Sequence, residues 1–102
     1  MSEWHRVCSL EQIPVGGKYP AFVEDDEVLV IRTDGGVFAL EDRCSHQDFP
    51  LAHGTLVNGK IKCKAHGAEF DLQTGKAMCA PAFAPVRTYE VEVRDGDVYV
   101  KL

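Results

Sequence analysis

The chain has 102 residues, 45% of them apolar and 26% charged, with a formal net charge of −5. That length buries roughly 65% of the unfolded surface, which serves one core and leaves too little for a second domain with its own active site. The sequence holds no basic nucleic-acid patch, no repeat, and no apolar run near the roughly 18 residues that cross a bilayer.

From the N-terminus, Met1-Ser2-Glu3-Trp4-His5-Arg6 lacks a signal-peptide hydrophobic region, so a cytoplasmic protein is expected. His5 and Cys8 form a His-x-x-Cys pair with no second pair to complete a site. Ser9-Leu10-Glu11-Gln12, ahead of Pro14, predicts a short helical turn. The run Glu24 to Glu27 reads as a solvated acidic turn rather than an acid/base dyad. Val28 to Thr33, then Asp34-Gly35-Gly36, then Val37 to Leu40 reads as a β-hairpin, because β-branched and aromatic residues flank glycines that accept positive φ. Val57-Asn58-Gly59-Lys60 and Arg94-Asp95-Gly96-Asp97 predict two more, the last between the alternating strands Thr88 to Val93 and Val98 to Leu102. No long segment has a 3.6-residue period, so the fold class is all-β.

Two clusters of metal-ligating residues stand in the middle of the chain, Cys44-Ser45-His46 and Cys63-Lys64-Ala65-His66. Two thiolates and two imidazoles on two loops hold either one tetrahedral zinc or a two-iron cluster with Cys on one iron and His on the other. A two-Cys, two-His zinc finger usually takes like ligands from each loop, whereas here each loop offers one Cys and one His. That split suits an iron pair, with the loops brought face to face. Taking Cys44 and Cys63 as ligands leaves Cys8 and Cys79 as small buried hydrophobes, since a disulfide between them does not suit a reducing compartment. His53 reads as an exposed loop histidine, because four ligands already close the site.

The pattern Cys44-x-His46 with Cys63-x-x-His66-Gly67 resembles the Rieske [2Fe-2S] signature. The sequence from Glu41 through Thr74-Gly75-Lys76 to Val98-Tyr99-Val100 resembles the small Rieske-type ferredoxins of bacterial aromatic-ring dioxygenases. The resemblance implies an antiparallel β-sandwich or barrel base with a small inserted cluster-binding subdomain, within one Rieske domain spanning 1–102. On that reading the base is 1–40 with 81–102, and the cluster-binding subdomain is 41–80. It further implies that Cys44 and Cys63 bind an inner iron, and that His46 and His66 bind an outer iron through Nδ1.

By the same resemblance the chain is a one-electron carrier rather than an enzyme. It would take electrons transiently from a flavin- or iron-sulfur-containing, NAD(P)H-dependent ferredoxin reductase and pass them to a terminal oxygenase, working as a monomer in the degradation of aromatic hydrocarbons. Charges within 41–80 cancel, five basic against five acidic, so no strongly charged docking face is expected there. Phe49, Pro50, Leu51 and Pro81-Ala82-Phe83-Ala84-Pro85 could form a weak docking tip, or could shield the cluster from water.

Compared with the quinol-oxidising Rieske proteins, the positions of the loop-bridging cysteines are Phe49 and Ala65, and the positions of two hydroxyl donors are Ala68 and Phe70. Each charge-assisted hydrogen bond is worth roughly 1.5–3 kcal/mol, and 59 mV corresponds to about 1.4 kcal/mol. The missing donors therefore predict a potential about 100–250 mV lower, near −150 mV, roughly the low end of the Rieske range. Among the loop glycines, Gly67 is expected to tolerate alanine least. Two rival readings stay open: a small Rieske-like subunit of a larger reductase such as nitrite reductase, and a zinc-stabilised binding module without redox function.

Overall fold

In a computed structural model, residues 3–43, 50–64, 67–78 and 85–102 are described. Nine strands form two antiparallel sheets. β1 (Trp4–Ser9), β2 (Lys18–Val23), β3 (Asp26–Thr33), β4 (Gly36–Glu41), β8 (Thr88–Arg94) and β9 (Asp97–Lys101) make a six-stranded sheet in the order β1-β9-β8-β4-β3-β2. It curls until its two edge strands, β1 and β2, come near each other. β5 (Thr55–Val57), β6 (Lys60–Lys62) and β7 (Glu69–Asp71) make a separate three-stranded sheet. The all-β expectation holds.

The predicted hairpins form where the turn residues place them. Val57 pairs with Lys60 and Arg94 with Asp97. The residues between them, Asn58-Gly59 and Asp95-Gly96, have φ values of 48° and 78°, and of 50° and 81°. Two positive φ values in a two-residue loop match the right-handed twist of the strands. The predicted helical turn is a 3-10 turn, Leu10–Gln12, closed by a reciprocal cap between Ser9 and Gln12.

The acidic run is a departure. Asp26 and Glu27 already belong to β3, and only Glu24 and Asp25 turn, with Glu24 at a φ of 57°. β2 pairs along its length with β3 and accepts Pro20, which lies opposite Leu29. It tolerates a residue without an N–H because it is an edge strand.

β3 carries both cores. Its alternating side chains send Leu29 and Ile31 to one face and Val28 and Val30 to the other. Val28 and Val30 join Cys8, Ile13, Ala39, Val98 and Val100 inside the curled sheet. Leu29 and Ile31 join Leu40, Leu51, Ile61, Cys63, Ala68, Phe70, Leu72 and Val86, which cements the three-stranded sheet onto the outside of the large one. The chain departs for the small sheet and returns at one place: Glu41 N–H donates to the Arg87 carbonyl (2.8 Å), beside the pairs Ala39–Tyr89 and Leu40–Thr88.

Candidate metal centre

Of the four candidate ligands, Cys63 is described; Cys44, His46 and His66 lie outside the described residues, as do Phe49, Ala65, Cys79 and residues 81–84. Cys63 follows β6, in which Ile61 points inward while Lys60 and Lys62 point out, and the alternation carries the thiol into the core at 1% exposure. Its N–H donates to the Ala68 carbonyl (2.7 Å), and the Gly67 N–H donates back to the Cys63 carbonyl (2.9 Å). Lys64, the residue after Cys63, is exposed. Ala68 and Phe70, the positions without hydroxyls, are wholly buried, and the Phe70 ring packs in the cluster that holds Cys63.

A second structural piece faces this loop. Residues Leu51–His53 form a 3-10 turn ending at Gly54, and three contacts hold it. Leu51 is wholly buried beside Cys63, so it shields and does not dock, while Pro50 and Pro85 are exposed. The Lys18 ammonium, reaching from β2, donates to the Gly54 carbonyl (2.6 Å). Asp42 Oδ1 accepts the Ala52 N–H (2.8 Å), while the Asp42 N–H donates to the Glu27 carbonyl (3.0 Å). A β-carbon on Gly54 would collide with the Lys62 carbonyl, one residue before Cys63. Gly67 has a φ of 74°, in the left-handed region that favours glycine, with the Lys62 chain at 3.7 Å from an added β-carbon. Gly75 abuts the Val86 carbonyl, so at Gly54 and Gly75 a β-carbon would run into the backbone.

The even tally of charges in 41–80 does not describe the surface. Asp42 is 8% exposed, the only buried charged residue among those described. Asp71 Oδ1 accepts the N–H groups of Gln73 (2.8 Å) and Thr74 (3.0 Å), and the Thr74 bond leads in holding the Asp71 carboxyl below its ordinary range. Lys62, Lys64 and Lys76 are exposed. On the far side of Asp42, a cavity of about 250 Å³ is lined by Asp25, Asp26, Glu27, Glu41, Arg43, Arg87 and Tyr89. Burial, then the nearby Asp26, raises the Tyr89 phenol. Burial likewise raises the Cys8 thiol, in keeping with an inert core residue. His53 is exposed at the end of its turn, as read from the sequence.

Residues 3–90 match the model of the Rieske [2Fe-2S] domain. The chain belongs to that family. It therefore holds a [2Fe-2S] cluster, and the buried Cys63 thiol suits one, because thiolate is a cluster ligand. The chain is 41% identical over 95 residues, 92% of its length and 90% of the relative's, to the 3-phenylpropionate/cinnamic acid dioxygenase ferredoxin subunit of Photorhabdus laumondii. Its fold matches the ferredoxin of carbazole 1,9a-dioxygenase from Nocardioides aromaticivorans at a TM-score of 0.91 and 33% identity, covering 95% of each chain. A complex of reduced oxygenase and oxidised ferredoxin in carbazole 1,9a-dioxygenase contains a chain similar at a TM-score of 0.88 and 34% identity, with 95% and 91% covered. Among the described residues, no helix is long and apolar enough to cross a membrane.

Proposed function

We propose that this Rieske protein is the ferredoxin component of an aromatic-ring dioxygenase system, carrying one electron at a time from an NAD(P)H-dependent reductase to a terminal oxygenase in the cytoplasm. The observation that carries this reading is likeness to a dioxygenase ferredoxin subunit at 41% identity across nine-tenths of both chains. The ligands would be Cys44, His46, Cys63 and His66. When bound, the cluster supplies a site that accepts and releases a single electron without bond chemistry. Cys63 is buried and would hold its side of the site dry. Residues 41–80 act as the cluster-bearing insertion on a base made of 1–40 and 81–102, and the carrier works as a monomer with transient partners.

The test is reconstitution. Purified protein mixed with a ferredoxin reductase, NADH and an aromatic-ring oxygenase should restore turnover that stops when it is omitted. It should elute alone, contain about two irons and two acid-labile sulfides, and show a reversible wave near −150 mV, about the low end of the Rieske range. Stoichiometric co-purification with a large catalytic chain would point instead to a reductase subunit, and a colourless protein with one zinc would overturn the ligand assignment. His66→Ala should abolish the cluster while His53→Ala leaves the visible spectrum intact. Phe70→Tyr, which adds a hydroxyl, should raise the potential by about 60–130 mV.

A further inference from the structure

The first ligand-bearing loop leaves β4 at Glu41 and re-enters described structure at Pro50. One hydrogen bond spans the gap, from the Ala52 N–H to Asp42 Oδ1, across ten residues of sequence and at 2.8 Å. Asp42 is otherwise hard to account for. Placing a carboxylate at 8% exposure costs free energy unless the group is used, and no other charged side chain among the described residues is buried. Its own backbone is fixed as well, because its N–H is held by the Glu27 carbonyl on β3. The oxygen therefore sits on a rigid mount.

What it grips is the turn Leu51–Gly54, which bears on both ligand loops. Lys18 pulls the same turn toward β2 through the Gly54 carbonyl, Leu51 shares a buried cluster with Cys63, and Gly54 lies against the backbone just before Cys63. In the sequence Cys44 and His46 lie between the two ends of the staple, and Cys63 shares a buried cluster with Leu51 of the turn it holds.

We propose that Asp42 is a positioning residue for the metal centre: its carboxylate closes the first ligand loop and registers it against the second. This rests on the ligand assignment under the proposed function. The Asp42 carboxylate needs no metal for the bond it makes, so Asp42 and Ala52 are brought together before the ligands are engaged, and the entropy of joining them is not left to the cluster alone. The lever is the oxygen acceptor. An asparagine offers the same acceptor to Ala52 and an alanine offers none.

The experiment compares purified holoprotein of four kinds: wild type, Asp42→Ala, Asp42→Asn, and Val98→Ala as a core lesion in the base. Iron release to a chelator, the line widths of the reduced cluster's paramagnetic resonance spectrum, and hydrogen exchange at the Ala52 amide are read for each. Asp42→Ala should release iron about tenfold faster or more, the change expected for the loss of about 1.4 kcal/mol. It should also broaden the spectrum and lose Ala52 protection. Asp42→Asn should recover all three, while Val98→Ala lowers the melting temperature and leaves them unchanged. The proposal is overturned if Asp42→Ala matches wild type, if folded Asp42→Asn behaves as a lesion, or if Val98→Ala produces the same loss. Should wild type hold no [2Fe-2S] cluster, the ligand assignment fails separately, and protection of the Ala52 amide, present in wild type and in Asp42→Asn, still decides the staple. If Asp42→Ala does not fold, the Asn variant and the wild-type amide decide the staple in its place.

Discussion

The hairpins β8–β9 and β5–β6 turn alike, through Asp95-Gly96 and Asn58-Gly59, yet the first joins strands of seven and five residues and the second joins strands of three. The long hairpin has its own cross-strand support on the outer face. The Arg94 guanidinium lies over both the Trp4 and Tyr99 rings at about 5 Å and pairs with Glu92 (2.8 Å), while Arg6 pairs with Asp97 (3.1 Å). The short one stands by what lies beneath and beside it: Leu56, Ile61 and Phe70 packed against the cluster that β3 and β4 share, and the Lys18 ammonium bonded to Gly54 just before β5. A sheet of three-residue strands is too small to hold itself. The contrast teaches that the three-stranded sheet borrows its stability from the core it shares with the six-stranded one.

The largest lesion to this arrangement should be Phe70→Ala, which empties a wholly buried site and costs about 4 kcal/mol. In denaturant, visible absorbance should then be lost well before far-ultraviolet ellipticity. Coincident transitions would break the comparison, because they would make the two sheets one cooperative unit. Gly54→Ala should come next at about 3 kcal/mol, since the Lys62 carbonyl must move, and Gly96→Ala in the base turn should cost only about 1–2 kcal/mol, from its positive φ in open space. Equal midpoints for the two variants would contradict the close approach. Lys18→Met removes the ammonium from the Gly54 carbonyl and should cost about 1–2 kcal/mol, again read first in the absorbance.

The smallest effect concerns acid. Because Asp71 has its carboxyl held below the ordinary range by the Thr74 and Gln73 N–H groups, the folded state binds its proton less readily than the unfolded chain. The stabilisation is present above the usual carboxylate pKa of about 4 and is lost as pH falls through the folded value. Asp71→Asn should flatten that acid limb slightly, in a thermal melt series from about pH 5 to pH 2. A steeper limb in the variant would reverse the sign and refute it.

Much of this was legible from turn chemistry. Asn58-Gly59 and Asp95-Gly96 announce positive φ, and the strands beside them followed. β1 and β2 did not announce themselves: Glu24-Asp25 turns without a glycine, and Pro20 argues against a strand unless the strand is known to be an edge. The proposed ligands stand out by their spacing, and Cys63, the one of them among the described residues, is buried. Asp42 and Lys18 were hidden because a charge reads as surface until tertiary contacts are known, and their partners are backbone groups 10 and 36 residues away. The expectation for Gly67 fits its positive φ, while the close backbone approaches at Gly54 and Gly75 carry no signal in the sequence.

The adjacent departure and return at Glu41 and Arg87 have an evolutionary reading. A chain excursion that begins and ends on neighbouring rungs of one ladder presents the scaffold with a fixed pair of sockets, whatever is plugged between them. Loop-closure free energy grows only by about 0.6 kcal/mol when such an excursion doubles in length. The stretch between them can therefore be lengthened, trimmed or redecorated without re-registering a strand of the large sheet.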